Sequence, residues 1–204
     1  MFDNIAKSYD FLNHSLSFGM DFYWRKKAVS KLTNNPKKIL DVATGTADFA
    51  IAATKMKEVQ IIGIDISEKM LEIGKNKIKQ KGLENLIKLQ LADSENLPFE
   101  SGSFDAITAG FGVRNFENLQ LGLSEMCRVL KEDGIAVILE PSKPKAFPVK
   151  QIYSAYFHYI LPFFGRLISK DNRAYNYLPE SVDAFPENEK FIEILKEVGF
   201  SKVK

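Results

Sequence analysis

KKILDVATGTADFA, residues 37–50, sets a short apolar run after Pro36 against a turn holding one glycine, Gly45, and then a helical pattern that continues as DFAIAATKM. A chain that leaves a buried strand and enters a helix within a few residues needs a backbone position free of Cβ, and Gly45 supplies it. The same turn leaves N–H groups at the start of a helix pointing outward, where a ligand can accept from them. Strand, glycine turn, helix is the opening of an α/β unit.

The order repeats downstream. VQIIGIDI (59–66), LIKLQLA (86–92), SFDAITAG (103–110) and GIAVILE (134–140) read as strands. SEKMLEIGKNKIKQKG (67–82) and NLQLGLSEMCRVLKEDG (118–134) carry apolar residues at helical spacing, and each ends in glycine. Ser67 ahead of Glu68 reads as a helix N-cap with an acid in the first turn. Strands separated by helices predict right-handed crossovers and a mostly parallel sheet with helices on both faces.

The bulk composition agrees. A chain of 204 residues, 45% apolar and 26% charged, suits one soluble domain. A net charge of +2 with interspersed signs gives no nucleic-acid signature. The single cysteine, Cys127, excludes an internal disulfide, fits a reducing cytoplasm, and reads as a small core residue. One cysteine and two distant histidines, His14 and His158, make no metal-ligand cluster. No signal peptide and no spanning run of apolar residues is visible. Cytoplasmic is the expected location.

Ligands in such sheets sit beyond the carboxyl ends of the strands. The residues there are Ala43 to Asp48, Asp65 and Ile66, Asp93 and Ser94, Gly110 to Asn115, and Glu140 to Lys143. One glycine falls short of the three that a dinucleotide fingerprint requires, so NAD is weakly supported. Asp65, twenty residues beyond Gly45, is placed to accept from both hydroxyls of an adenosine ribose. Asp93 can accept from an adenine amino group, with Ser94 beside it, while the ring nitrogens need a backbone N–H.

Two segments lie outside the alternation. Residues 1–35 read as a helical cap broken near Ser17 to Gly19. Residues 146–186, rich in aromatics, form an insert after the fifth strand. The expected division is cap 1–35, cofactor-binding core 36–145, substrate-covering insert 146–186, and last helix with the start of a sixth strand 187–204, all within one domain.

With Asp41 and Gly45 in a first motif, Asp65 in a second and Asp93 in a third, the chain resembles a class I S-adenosylmethionine-dependent methyltransferase of Rossmann-like fold. YDFLN (9–13), LSFG (16–19), WR (24–25), LDVATGTAD (40–48), FGVRN (111–115), RVLK (128–131), LEPSKP (139–144) and YLPESVDAFP (177–186) sharpen this. Together they resemble the menaquinone/ubiquinone biosynthesis C-methyltransferase family over essentially the whole chain. Asp21 stands where the family usually has histidine, and Thr44 and Ala47 where its first loop is often glycine. Family members continue beyond residue 204, so the last strands of the sheet are expected to be incomplete.

The resemblance implies methyl transfer from S-adenosylmethionine to a ring carbon of a prenylated quinol, demethylmenaquinol first and a ubiquinone-pathway benzoquinol second. It assigns Gly45, Thr46, Asp65, Ile66, Asp93, Ser94 and Gly110 to the cofactor. Arg114 and Asn115 are assigned to the quinol oxygen, with Tyr9 or water taking its proton; a guanidinium stays protonated and is a poor base. Gly110 is read as a close approach to the sulfonium side. The aromatic insert is read as cover for a greasy tail or as a peripheral contact at the inner face of the cell membrane, with a homodimer interface as its competing role. Rival readings are a methyltransferase for another small molecule, one for nucleic-acid bases, and a catalytically silent cofactor-binding scaffold.

Overall fold

A computed structural model of the chain describes residues 3, 6, 10, 13–15, 17–144, 146–155, 177 and 180–204. Tyr9, His158 and most of the aromatic insert lie outside the described residues.

Five strands form one all-parallel sheet: β1 (Lys38–Val42), β2 (Gln60–Asp65), β3 (Ile87–Leu91), β4 (Phe104–Gly110) and β5 (Leu130–Leu139), in the spatial order β3-β2-β1-β4-β5. Strand order reverses between β1 and β4, so the loops after those two strands open side by side. The helices are α1 (Met20–Val29), α2 (Asp48–Ala53), α3 (Glu68–Gln80), α4 (Leu119–Val129), α5 (Val149–Ala155) and α6 (Glu189–Glu197).

Alternation along β1 splits the core between two faces. Leu40 and Val42 join Ile64, Phe104, Ile107, Leu123 and Met126 on one side. Ile39 joins Ala50, Ile61, Ile78, Ile87 and Ala106 on the other. Both faces are covered, which is why these strands read as nearly continuous apolar runs. The expected cap at Ser67 forms, and Asn118 supplies a second that the sequence reading did not name. Ser67 Oγ accepts from the Met70 N–H at 3.3 Å to start α3, and Asn118 Oδ1 accepts from the Leu121 N–H at 3.0 Å to start α4.

The expectation of a helix running to Gly134 is corrected. α4 stops at Val129, and Leu130 already pairs with Phe104 as the first residue of β5. The register then jumps, with Ala106 opposite Ile135, so residues 131–134 bulge out of the ladder. A Cβ on Gly134 would lie 2.6 Å from Leu130 Cδ1, so this glycine closes a bulge rather than a helix. Asp105 holds the bulge's base, accepting from Lys131 Nζ at 2.6 Å and from the Lys37 and Lys38 N–H groups.

Cys127 is half-buried rather than fully buried, with burial pushing its thiol up. Among the described residues no helix is long and apolar enough to cross a membrane.

Candidate active site

The loop after β1 is wound through left-handed backbone at Ala43, Gly45 and Ala47, with φ of 52°, 55° and 68°. A non-glycine residue held there costs roughly 1–2 kcal/mol, so this strain needs support from around it. Support comes from two carboxylates. Asp41, wholly buried at the end of β1, accepts from Thr44 Oγ1 at 2.5 Å and from Thr108 Oγ1 at 2.6 Å. Asp65, at the end of β2, accepts from the Gly45 N–H at 2.8 Å through one oxygen and from the Ser67 N–H at 2.8 Å through the other.

Burial pushes the Asp41 carboxyl up to about 6, against the pull of its two threonine hydroxyls. The sign follows. The folded chain holds this proton more tightly than the unfolded one, so stability from Asp41 is full below the ordinary carboxyl value of 3.8 and is lost as pH rises through about 6. Between about pH 4 and pH 7 the chain should lose on the order of 3 kcal/mol from this group. Asp41→Asn, always neutral, should show no such loss. Denaturant unfolding of both proteins at the two pH values measures it, and a constant difference between them would contradict it.

Burial also raises the Asp65 carboxyl, with the Ser67 and Gly45 amides pulling against it. Each oxygen of a carboxylate has two lone pairs, so Asp65 keeps acceptor capacity for a diol. Beside it Ile66 lies with 69% of its surface open, an apolar platform that the fold does not use. Nothing lies within 4 Å of a Cβ built on Gly45, so open space faces the loop. A free acceptor, an apolar shelf and room beside a strained loop fit the ribose and adenine of S-adenosylmethionine.

The remaining residues assigned to the cofactor divide. Asp93 is exposed, with Oδ1 capping the Glu95 N–H at 2.9 Å, and Ser94 is half-buried next to it. Thr46 spends its side chain inside the protein, donating to Asp10 Oδ1 at 2.5 Å and accepting from Lys77 Nζ at 3.1 Å. A Cβ on Gly110 would lie 2.7 Å from the Phe49 ring, so the structure supplies an internal reason for that glycine. Gly112 is tight against Ala43, whose Cβ would be 2.5 Å away, which locks the loops after β1 and β4 together.

Around this loop sits an ion-pair network from the N-terminal segment. Lys77 Nζ pairs with Asp10 Oδ2 at 2.9 Å and with Asp48. His14 faces carboxylates with both ring nitrogens, Nδ1 at 2.7 Å from Asp21 and Nε2 at 3.5 Å from Asp48. Asp21 also pairs with Arg25 and accepts from Ser17 Oγ at 2.8 Å. Asp10, His14 and Asp48 bring ligand-type atoms within 4.8 Å of one another, but the Lys77 ammonium already sits among the carboxylates.

After β4, Phe111 takes φ 61° and Val113–Asn115 forms a single 3-10 turn. Glu140, at the end of β5, clamps that turn. Its Oε1 accepts from the Val113 N–H at 2.8 Å and its Oε2 from Arg114 Nη1 at 2.7 Å, the same nitrogen donating to the Phe111 carbonyl at 2.6 Å. The Arg114 and Glu140 side chains are only 9% and 6% exposed. Burial pushes the Glu140 carboxyl up, opposed by Arg114. Arg114 Nε is buried with no hydrogen-bond partner among the described residues. Asn115 Oδ1 accepts from the Tyr177 hydroxyl at 3.1 Å.

Arg114 lines a cleft of about 380 Å³ whose other walls include Phe116, Leu119, Tyr177, Ala184 and Phe185. Two sequence blocks far apart in the chain, FGVRN and YLPESVDAFP, thus face each other across one apolar space. Tyr153 has its hydroxyl pushed up to about 12, first by burial and then by Asp183 and Glu187, so it stays protonated. An Asp or Glu pairing with Arg114 across the cleft is the competing reading of that residue from the sequence, and Glu140, a carboxylate at a strand end, is that partner.

The ubiE/COQ5 methyltransferase family model matches residues 1–204. A demethylmenaquinone methyltransferase of Bacteroides fragilis is 50% identical over 100% of this chain and 84% of its own length. A ubiquinone/menaquinone biosynthesis C-methyltransferase of Geotalea uraniireducens is 47% identical over 100% of this chain and 88% of its own. In fold, the chain is similar to a putative S-adenosylmethionine-dependent methyltransferase of Methanococcus maripaludis, with TM-score 0.70, 23% identity, and coverage of 98% and 85%. A Thermotoga maritima methyltransferase structure gives TM-score 0.67 at 18% identity, covering 99% and 82%. The class I methyltransferase sheet, a family model matched from end to end and half-identical relatives lead to one assignment: the chain belongs to the ubiE/COQ5 methyltransferase family.

Proposed function

We propose that the chain methylates a ring carbon of a prenylated quinol, demethylmenaquinol before a benzoquinol, with S-adenosylmethionine as donor. The orphaned Arg114 Nε carries the reading. Arg114 is a wall residue of an apolar cleft, and its buried Nε–H has no partner among the described residues, so a small shift of the side chain would give that N–H an acceptor oxygen in the cleft. A quinol offers that oxygen next to the carbon to be methylated.

The donor supplies an electrophilic methyl on a sulfonium. Asp65 is placed to hold its ribose, Ile66 and Asp93 to bracket its adenine, and the Gly45 loop to leave it room. Arg114 and Asn115 stabilise the quinolate oxygen as the hydroxyl proton leaves to water or to Tyr9. The ring's electrons form the new C–C bond, the C–S bond breaks, and loss of the ring proton restores aromaticity. Positioned cationic donors act where the charge develops. Relatives whose names cover both quinone pathways keep the benzoquinol open as the second substrate. Contact with the inner face of a membrane, where a prenylated quinol resides, belongs to this reading, as does a homodimer through the insert.

Filling the cleft tests it. Ala184→Trp, at an exposed position on its wall, should raise the quinol KM about tenfold or more and leave the donor's Kd unchanged. An unchanged KM would place the quinol elsewhere.

A further inference from the structure

Helix α1 is inside out. Asp21 and Arg25 are 2% and 7% exposed, whereas Phe22 and Tyr23 are each 56% exposed, Met20 45% and Trp24 39%. Phe18, two residues before the helix, is 84% exposed. The inward charges are explained by one another and by Ser17, His14 and the Phe111 ring, over which the Arg25 guanidinium sits at 5.5 Å. Phe22 also stacks on His14 at 4.4 Å, and it and Tyr23 still leave more than half of their surface open. Single exposed apolar residues are ordinary, but large contiguous apolar patches mark interaction surfaces.

The patch has a direction and a border. Met20, Tyr23, Trp24 and Lys27 stand at helical spacing i, i+3, i+4 and i+7, so they share a face. Lys26, Lys27 and Lys31, all exposed, follow within the next turns. Tryptophan and tyrosine favour the headgroup depth of a bilayer, and lysines beside them meet anionic lipid phosphates. The patch also adjoins the catalytic turn. Trp24 packs edge-on against Phe111 at 6.3 Å, and the Phe111 carbonyl accepts from Arg114.

We infer that this face of α1, Met20, Tyr23 and Trp24 with Phe18 ahead of it and Lys26 and Lys27 beside it, docks on an anionic lipid bilayer and brings the cleft to the membrane surface. The choice of a bilayer as partner rests in part on the quinol reading above. The surface itself does not, and it differs from the aromatic insert on which the sequence placed membrane contact.

Trp24 is the chain's one tryptophan, so its native emission reports on the patch. With the full chain, vesicles of phosphatidylglycerol and phosphatidylcholine should shift that emission to the blue, and brominated lipid should quench it. Phosphatidylcholine alone should do so weakly. Lys26→Glu with Lys27→Glu should lower partition into anionic vesicles by about tenfold or more. Phe18→Asn with Tyr23→Ser should do the same, asparagine being compatible with the positive φ at residue 18. If the ring variant fails to fold, the lysine variant still decides the matter, because both lysines are solvent-exposed. Emission indifferent to both vesicle types overturns the proposal. So does a shift that follows protein concentration without lipid, which would make the face a contact between two copies. Methyl transfer to a tail-less quinol separates the two claims: its absence with intact vesicle binding sinks the quinol reading alone.

Discussion

Arg114→Ala should lower kcat/KM for quinol methylation by about 10²–10³-fold while the donor's Kd stays unchanged. The loss is expected in kcat as well as KM, because the guanidinium meets its charge only as the quinolate forms. Arg114→Lys should recover little. An ammonium can donate to Glu140 and the Phe111 carbonyl but has no second nitrogen for the quinol oxygen. The same geometry makes Glu140 a positioning residue. Glu140→Ala strands the Arg114 charge in a buried site, which typically costs about 3–5 kcal/mol, and it frees the Val113 amide as well. Replacing both members by Met and Leu should restore much of the stability and none of the activity. A double-mutant cycle read in both unfolding free energy and kcat/KM checks this, and additive losses in stability would contradict the coupling.

Asp65→Ala should raise the Kd for S-adenosylmethionine by about 10²-fold. A charge-assisted hydrogen bond contributes about 1.5–3 kcal/mol, and this carboxylate is placed to serve the ligand and the Gly45 amide at once. Its removal therefore takes away a ligand contact and slackens a loop that carries three left-handed residues. Asp65→Asn should fall between. It keeps one acceptor oxygen but turns an NH₂ toward either the Gly45 or the Ser67 N–H. Ligand-induced stabilisation reads this directly, since the rise in Tm scales with the logarithm of ligand over Kd. A variant whose Tm rises as much as that of the unaltered chain would remove Asp65 from the donor site.

How much of this was legible in the sequence depends on distance along the chain. Strands β1 to β4 and the cap at Ser67 were readable because local pattern and local partner coincide. Leu130 misled because one apolar residue satisfied both the helical spacing of α4 and the strand that follows it. Only its pairing with Phe104 decides between them. The Arg114–Glu140 clamp joins two strand ends 26 residues apart, which a pattern lists but does not connect. Helix α1 carried no local sign of which face turns inward. Hydropathy places rings inside and charges outside, and here His14, Ser17 and Arg25 satisfy Asp21 so completely that the polar face is the buried one. Gly110 was read as room for a ligand, and the structure gives it a tight internal neighbour in Phe49.

The central claim is ring-carbon methylation of a quinol held by the Val113–Asn115 turn. Incubation of the full chain with methyl-labelled S-adenosylmethionine and reduced demethylmenaquinone, with the product located by mass spectrometry and NMR, tests it most directly. The account predicts label on the ring carbon next to the quinol oxygen, and its loss in Arg114→Ala. Label on oxygen, or no transfer by a folded chain that binds the donor, would contradict it.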